Sequence, residues 1–143
     1  IPLTGAVVVS TPQNIALADA KKGVSMFQME SINVPVLGII ENMAYFTPAE
    51  LPKNKYYIFG KEGAKSLAQQ LEIDLLAEIP LVQSVREAAD AGRPAILQGS
   101  TPIALELLKM TKNILRSIKK RNTNLAPTKA VELTHSKGCS TKK

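Results

Sequence analysis

Val36-Leu37-Gly38-Ile39-Ile40-Glu41-Asn42-Met43 is an apolar run that stops on an asparagine, and it is the middle one of three such runs. Ala6-Val7-Val8-Val9-Ser10-Thr11-Pro12 precedes it and Leu75-Leu76-Ala77-Glu78-Ile79-Pro80 follows it. Each run leads into helix-like sequence. Short β-rich runs alternating with helical stretches read as β-α units, so the expected fold class is α/β, a parallel sheet with flanking helices. Such sheets bind ligands outside the carboxyl ends of their strands. The residues that close each run are therefore the first candidates for function.

Working outward, Gly5 to Ser10 has the continuous apolar character of a buried parallel strand. Thr11-Pro12 reads as N-cap and first helical position, because proline lacks only an N–H that would be unpaired there. The first helix is expected to reach about Glu30, with Ile15, Ala16, Ala20, Val24 and Phe27 toward the core. Asn33-Val34-Pro35 breaks it. Ala44 to Tyr57 holds Pro48, Pro52 and Asn54 with no helical period and reads as a loop, followed by a short strand at Tyr56 to Phe59. A helix is expected from about Glu62 to Leu71, a third strand from Leu75 to Ile79, and a helix from Val82 to Ala91 that Gly92 caps. The last helix starts at Thr101-Pro102 and reaches about Arg121, with Ile103, Leu107, Leu108, Ile114, Leu115 and Ile118 on one face. This divides the chain into an ordered part, 1–121, and a basic, aperiodic tail, 122–143, expected to be disordered. No internal repeat is present.

A length of 143 residues with 45% hydrophobic content suits one globular domain with a real core. No apolar stretch approaches the ~20 residues that span a bilayer. The start shows no signal-peptide pattern, and a chain that begins at Ile1 almost inside a strand reads as a fragment. One cysteine, Cys139, excludes an internal disulfide framework and suits a reducing compartment, so a cytoplasmic location is expected. The net charge of +6 is uneven: 8 basic and 11 acidic residues up to Leu108 give −3, whereas 10 basic and 1 acidic residue from Lys109 onward give +9. A basic tail can bind nucleic acid or an acidic membrane. No aromatic residue interleaves its lysines, so solubilisation is the plainer reading and neither is an expected partner.

Among the candidate chemistries, Asn42 stands where a strand should end. Its amide offers a donor and an acceptor side by side, which match the amino group and ring nitrogen of adenine. Asparagine also simply tolerates turns, and position alone leaves both readings open. Ile79, Pro80 and Leu81 close the next run and could form an apolar lip against a planar base; ordinary packing is the simpler alternative. Gly60-Lys61-Glu62-Gly63-Ala64-Lys65-Ser66 falls short of a phosphate loop, since Ala64 stands where glycine must precede the lysine, and it reads better as a glycine-marked helix start. Asn54-Lys55 lacks the aspartate of a guanine-reading motif, and no G-x-G-x-x-G is present. His135 and Cys139 are too few for a structural metal site. Arg86 and Asp90 read as a surface ion pair.

Several of these segments together resemble the Mrp/ApbC family of P-loop ATPases. They are Gly5-Ala6-Val7-Val8-Val9-Ser10-Thr11-Pro12-Gln13, Val34 to Met43, Ile58-Phe59-Gly60, Glu78-Ile79-Pro80-Leu81 and Arg86-Glu87 with Asp90 and Gly92-Arg93-Pro94. The resemblance covers about Ile1 to Ile118. It implies the C-terminal portion of a P-loop NTPase domain of the deviant-Walker type, alongside the MinD and ParA proteins. The implied whole is a homodimeric, ATP-hydrolysing carrier that serves iron–sulfur client apoproteins. The glycine-rich phosphate loop, the switch regions and the Mg²⁺-site aspartate lie upstream in relatives. This piece alone is therefore expected to be inactive as an ATPase, with no catalytic residue of its own. What carries over is the adenine side of an ATP site: Asn42 for the base, with Ile79, Pro80 and Leu81 near the ring. Relatives often carry a C-x-x-C pair after the E-N-M segment that holds a bridging cluster. Here Ala44 to Leu51 has no cysteine, which puts an iron–sulfur cluster at this loop in doubt, because a lone carboxylate such as Glu50 replaces thiolates poorly. Two other readings are a MinD/ParA-type positioning ATPase and a non-enzymatic nucleotide-binding module.

Overall fold

The computed structural model describes residues 2–48 and 50–129. His135, Cys139 and most of the basic tail lie outside the described residues. The elements are β1 (Ala6–Ser10), α1 (Asn14–Gln28), β2 (Val36–Phe46), α2 (Gly63–Gln70), β3 (Leu75–Leu81), α3 (Gln83–Asp90) and α4 (Pro102–Asn124), with a 3-10 turn at Ala95–Leu97 before α4. The strands form a parallel sheet in the order β1-β2-β3.

Alternation along β2 sorts the core into two layers. Ile39 packs with Ala20 of α1 and with Ala64, Leu67 and Ala68 of α2. Its neighbour Ile40 packs on the other face with Leu76, Ile79 and Ile103, joined by Leu107, Met110 and Ile114 of α4. Both faces of the parallel sheet are covered, which is why its strands are apolar throughout.

The β2–β3 ladder is irregular at its start. Ile39 pairs with Leu75 but Ile40 with Ala77, so Leu76 is an extra residue in β3. Its carbonyl accepts a hydrogen bond from Asn113 Nδ2 at 2.8 Å. Gly38, with φ 151°, permits the close approach of β3, since a Cβ there would lie 2.4 Å from the Asp74 carbonyl oxygen.

Several boundaries differ from the sequence expectation. α1 begins at Asn14, not Pro12, because Thr11 Oγ1 turns to Gln13 Oε1 at 3.0 Å. β2 continues to Phe46 through residues expected as loop, and the expected strand at Tyr56–Phe59 is a single antiparallel bridge from Tyr56 to Phe46. α4 extends to Asn124. Ile15 is 78% exposed and Leu115 59%, with Leu108 also exposed, so these three do not join the core. Other signals hold. Thr101 caps α4 through Ala104 N–H, with Pro102 in the first position. Gly92, at φ 66°, and Arg93 close α3 by bonding the Ala89 and Ala88 carbonyls. Arg86 and Asp90 pair at 2.8 Å on the surface.

Candidate functional site

Asn42 lies inside β2, at its carboxyl half, opposite Ile79 of β3 in the ladder. Pro80 and Leu81 complete β3; they belong to the strand and do not follow it. The structure therefore brings the four sequence candidates together on two adjacent strands. Proline at position 80 is tolerated because β3 is an edge strand, where a missing N–H need not break a ladder bond.

Immediately after Asn42 the ladder opens. The next pair is Phe46 with Leu81, so β2 advances four residues while β3 advances two. Met43 takes φ 55°, a left-handed conformation that costs a non-glycine residue about 1 kcal/mol or more. Its N–H is satisfied by Asn42 Oδ1 at 3.0 Å. Asn42 thus does serve its local turn. That bond occupies one lone pair of four hydrogen-bonding sites on the carboxamide, and Nδ2 makes no hydrogen bond among the described residues. The side chain is half-buried and borders an open groove of about 590 Å³, which Val9, Ser10, Thr11 and Asp19 also line.

Glu41, one residue earlier, points to the opposite face and is 1% exposed. Its Oε2 accepts the Ala64 N–H at 2.5 Å, capping α2 from a neighbouring strand. Glu62 occupies the N-cap position itself, at φ 55°, and its side chain makes no cap bond. Burial pushes the Glu41 carboxyl above the usual carboxylate range, and nearby Glu78 and Glu62 push the same way; the backbone N–H groups of Ala64 and Lys65 oppose them. Sequence reasoning passed over this residue. The available signal was an acid in an otherwise apolar strand, which burial makes costly unless it has partners.

The glycines of the Gly60–Gly63 loop face protein and not an open cradle. A Cβ on Gly63 would lie 2.5 Å from the Pro12 carbonyl oxygen, and one on Gly60 3.2 Å from the same atom. The loop start of α2 is therefore packed on the β1–α1 turn, in line with a glycine-marked helix start. The end of β2 and the loop after it carry aromatic and basic groups, with Lys55 Nζ 3.8 Å from the centre of the Tyr45 ring. Among the described residues no group of three or more His, Cys, Asp or Glu side chains could hold a metal ion. No described helix is long and apolar enough to cross a membrane.

Residues 1–118 match the ParA family described as NUBPL iron-transfer P-loop NTPase. The chain belongs to this family. It is 46% identical over 120 residues to the mouse iron-sulfur cluster transfer protein NUBPL, covering 83% of this chain and 37% of that protein. Against a Synechocystis iron-sulfur cluster carrier protein it is 41% identical over 115 residues, covering 80% and 32%. The chain spans about a third of the length of the curated relatives it matches. Among solved structures it is similar to a nucleotide-binding protein from Archaeoglobus fulgidus in complex with ADP, at 35% identity and TM-score 0.58, covering 72% of this chain and 40% of that one. The cell division ATPase MinD of Pyrococcus furiosus matches at 22% identity and TM-score 0.58, covering 79% and 43%, and shows the fold alone. The three-stranded sheet corresponds to a portion of the larger α/β fold of these relatives. Asn42, Ile79, Pro80 and Leu81 occupy the carboxyl ends where such sheets take ligands.

Proposed function

We propose that this chain supplies the adenine-binding side of an ATP-binding and ATP-hydrolysing iron–sulfur cluster carrier. The observation that carries the reading is the Asn42 carboxamide, with a free donor and a free lone pair beside Ile79, Pro80 and Leu81. A planar base needs a donor–acceptor pair on its edge, which Asn42 offers, and apolar contact on its face, for which the half-buried Pro80 and Leu81 are the candidates, since Ile79 packs in the core. The ADP in the Archaeoglobus neighbour supports the ligand class. When bound, ATP supplies the phosphoryl chemistry; the residues described here bind and orient the base. No residue in this chain is assigned to Mg²⁺, which is expected to be held with the phosphates by another part of the protein.

The cargo reading follows the family, with a homodimer, client apoproteins and a cytoplasmic location as parts of the same proposal. The loop from Ala44 to Leu51 has no cysteine, so a cluster would be carried by another segment or a partner. The test is Asn42→Ala in the full-length protein. ATP binding is expected to weaken by about 1–3 kcal/mol, as when hydrogen-bonding groups go unpaired, with reduced discrimination against GTP. A folded variant with unchanged affinity and unchanged base preference would refute the role.

A further inference from the structure

We propose that Glu41 is a positioning residue for the adenine site: by capping α2 it fixes β2 at the rung before Asn42, so that Asn42 is held toward the base. The proposal rests on the reading of Asn42 given above. Its geometric basis is the loss of the β2–β3 ladder right after Asn42, where Met43 turns left-handed and the next rung is Phe46–Leu81. Beyond the Asn42–Ile79 rung ladder bonds no longer define the backbone, and the Glu41–Ala64 bond is the side-chain anchor one residue before that rung. α2 is in turn pinned, because Gly63 packs on the Pro12 carbonyl with no room for a side chain. One carboxylate thereby joins β2, beside Asn42, to the β1–α1 turn through the start of α2.

A carboxylate is an expensive choice for this task. It is buried, and the charged groups that face it are Glu62 and Lys65 from the α2 start and Glu78 from β3, so two of the three are like charges. A carboxyl held above its ordinary pKa takes up a proton on folding. Its contribution to stability is therefore full at and below the unfolded value, 4.5, and is lost as pH rises through the raised folded value. In its ionised form Glu41 lowers global stability while making the stronger, charge-assisted cap.

The experiment uses the full-length protein, with MgATP affinity measured against pH for the wild type, Glu41→Gln, Glu41→Asp and Asn42→Ala. Glu41→Gln is expected to leave unfolding resistance equal or higher, while ATP affinity above the Glu41 transition falls roughly tenfold and amide exchange quickens in the first turn of α2. Wild-type affinity should fall as pH drops through the Glu41 transition. The difference between wild type and Glu41→Gln removes the nucleotide's own titration, and the variant should lack that transition. Glu78→Gln, which takes away a like charge, should move the transition to lower pH. Glu41→Asp keeps the charge and should keep the transition, at reduced affinity; with the wild-type profile it decides the question if Glu41→Gln fails to fold. Unaltered affinity and pH profile in Glu41→Gln, with a weakened Asn42→Ala, would overturn the positioning role alone. An inert Asn42→Ala would overturn the adenine reading and this proposal with it, and faster α2 exchange would then mark Glu41 as a structural cap only.

Discussion

The two edges of the sheet are built differently. β3 is a finished edge. It carries an extra residue at Leu76, whose carbonyl is taken by Asn113 of α4, and a proline at position 80, and Lys109 and Glu106 of α4 line a pocket beside it. Bulges, prolines and flanking charge are the means by which edge strands avoid pairing with other chains. β1 carries neither a bulged residue nor a proline. Ala6-Val7-Val8-Val9 runs without a proline or a charge, its register with Gly38 to Glu41 is unbroken from Val7 to Ser10, and Val9 is 59% exposed. β1 has the chemistry of an interior strand, which accords with a chain spanning about a third of its relatives. The candidate residues lie on β2 and on the β3 edge, and the groove that Asn42 borders opens toward β1.

The comparison breaks most severely at Gly38, the point where β2 admits β3. Gly38→Ala would drive a Cβ against the Asp74 carbonyl at a φ that side chains avoid. It is expected to cost about 3 kcal/mol in denaturant unfolding, the upper range for overpacking. Gly23→Ala in α1, whose Cβ would meet nothing within 4 Å, is the control, expected to stabilise by about 0.5–1 kcal/mol. A Gly38→Ala variant as stable as its parent would mean that the close approach of β3 is not needed.

A smaller change tests how the β3 edge is finished. Asn113→Leu leaves the Leu76 carbonyl without its side-chain partner. A loss of about 1–3 kcal/mol is expected, with faster amide exchange confined to β3 and the facing turn of α4. Exchange that rises equally over the whole sheet would instead mark Asn113 as a general packing residue.

The gentlest change sharpens the reading of β1. Val9→Lys places a charge on the open strand. Stability of the isolated chain should move by no more than about 0.5 kcal/mol, while its concentration-dependent self-association, followed by sedimentation, should drop. Self-association that is indifferent to Val9→Lys would show that β1 is not the exposed template.

Much of this protein is determined by its sequence alone, because the forces concerned act over a few residues. The three apolar runs specify three buried strands, the intervening periods specify helices, Thr101-Pro102 starts α4, and Gly92 ends α3. Asn42 read as a strand end, whereas β2 runs on through it to Phe46. Other features only the tertiary structure decided. Periodicity ranks the faces of a helix but does not say how wide a stripe the sheet covers, so Ile15, Leu108 and Leu115 read as core and prove exposed. The proline and loop-like residues around β2 and β3 concealed that β2 continues to Phe46 and β3 to Leu81, since a bulge and an edge position are properties of pairing and not of the strand itself. Glu41 shows the limit most clearly. Its partner Ala64 lies 23 residues away, and nothing local to Val36–Met43 reveals that a helix start will arrive there to receive a buried carboxylate.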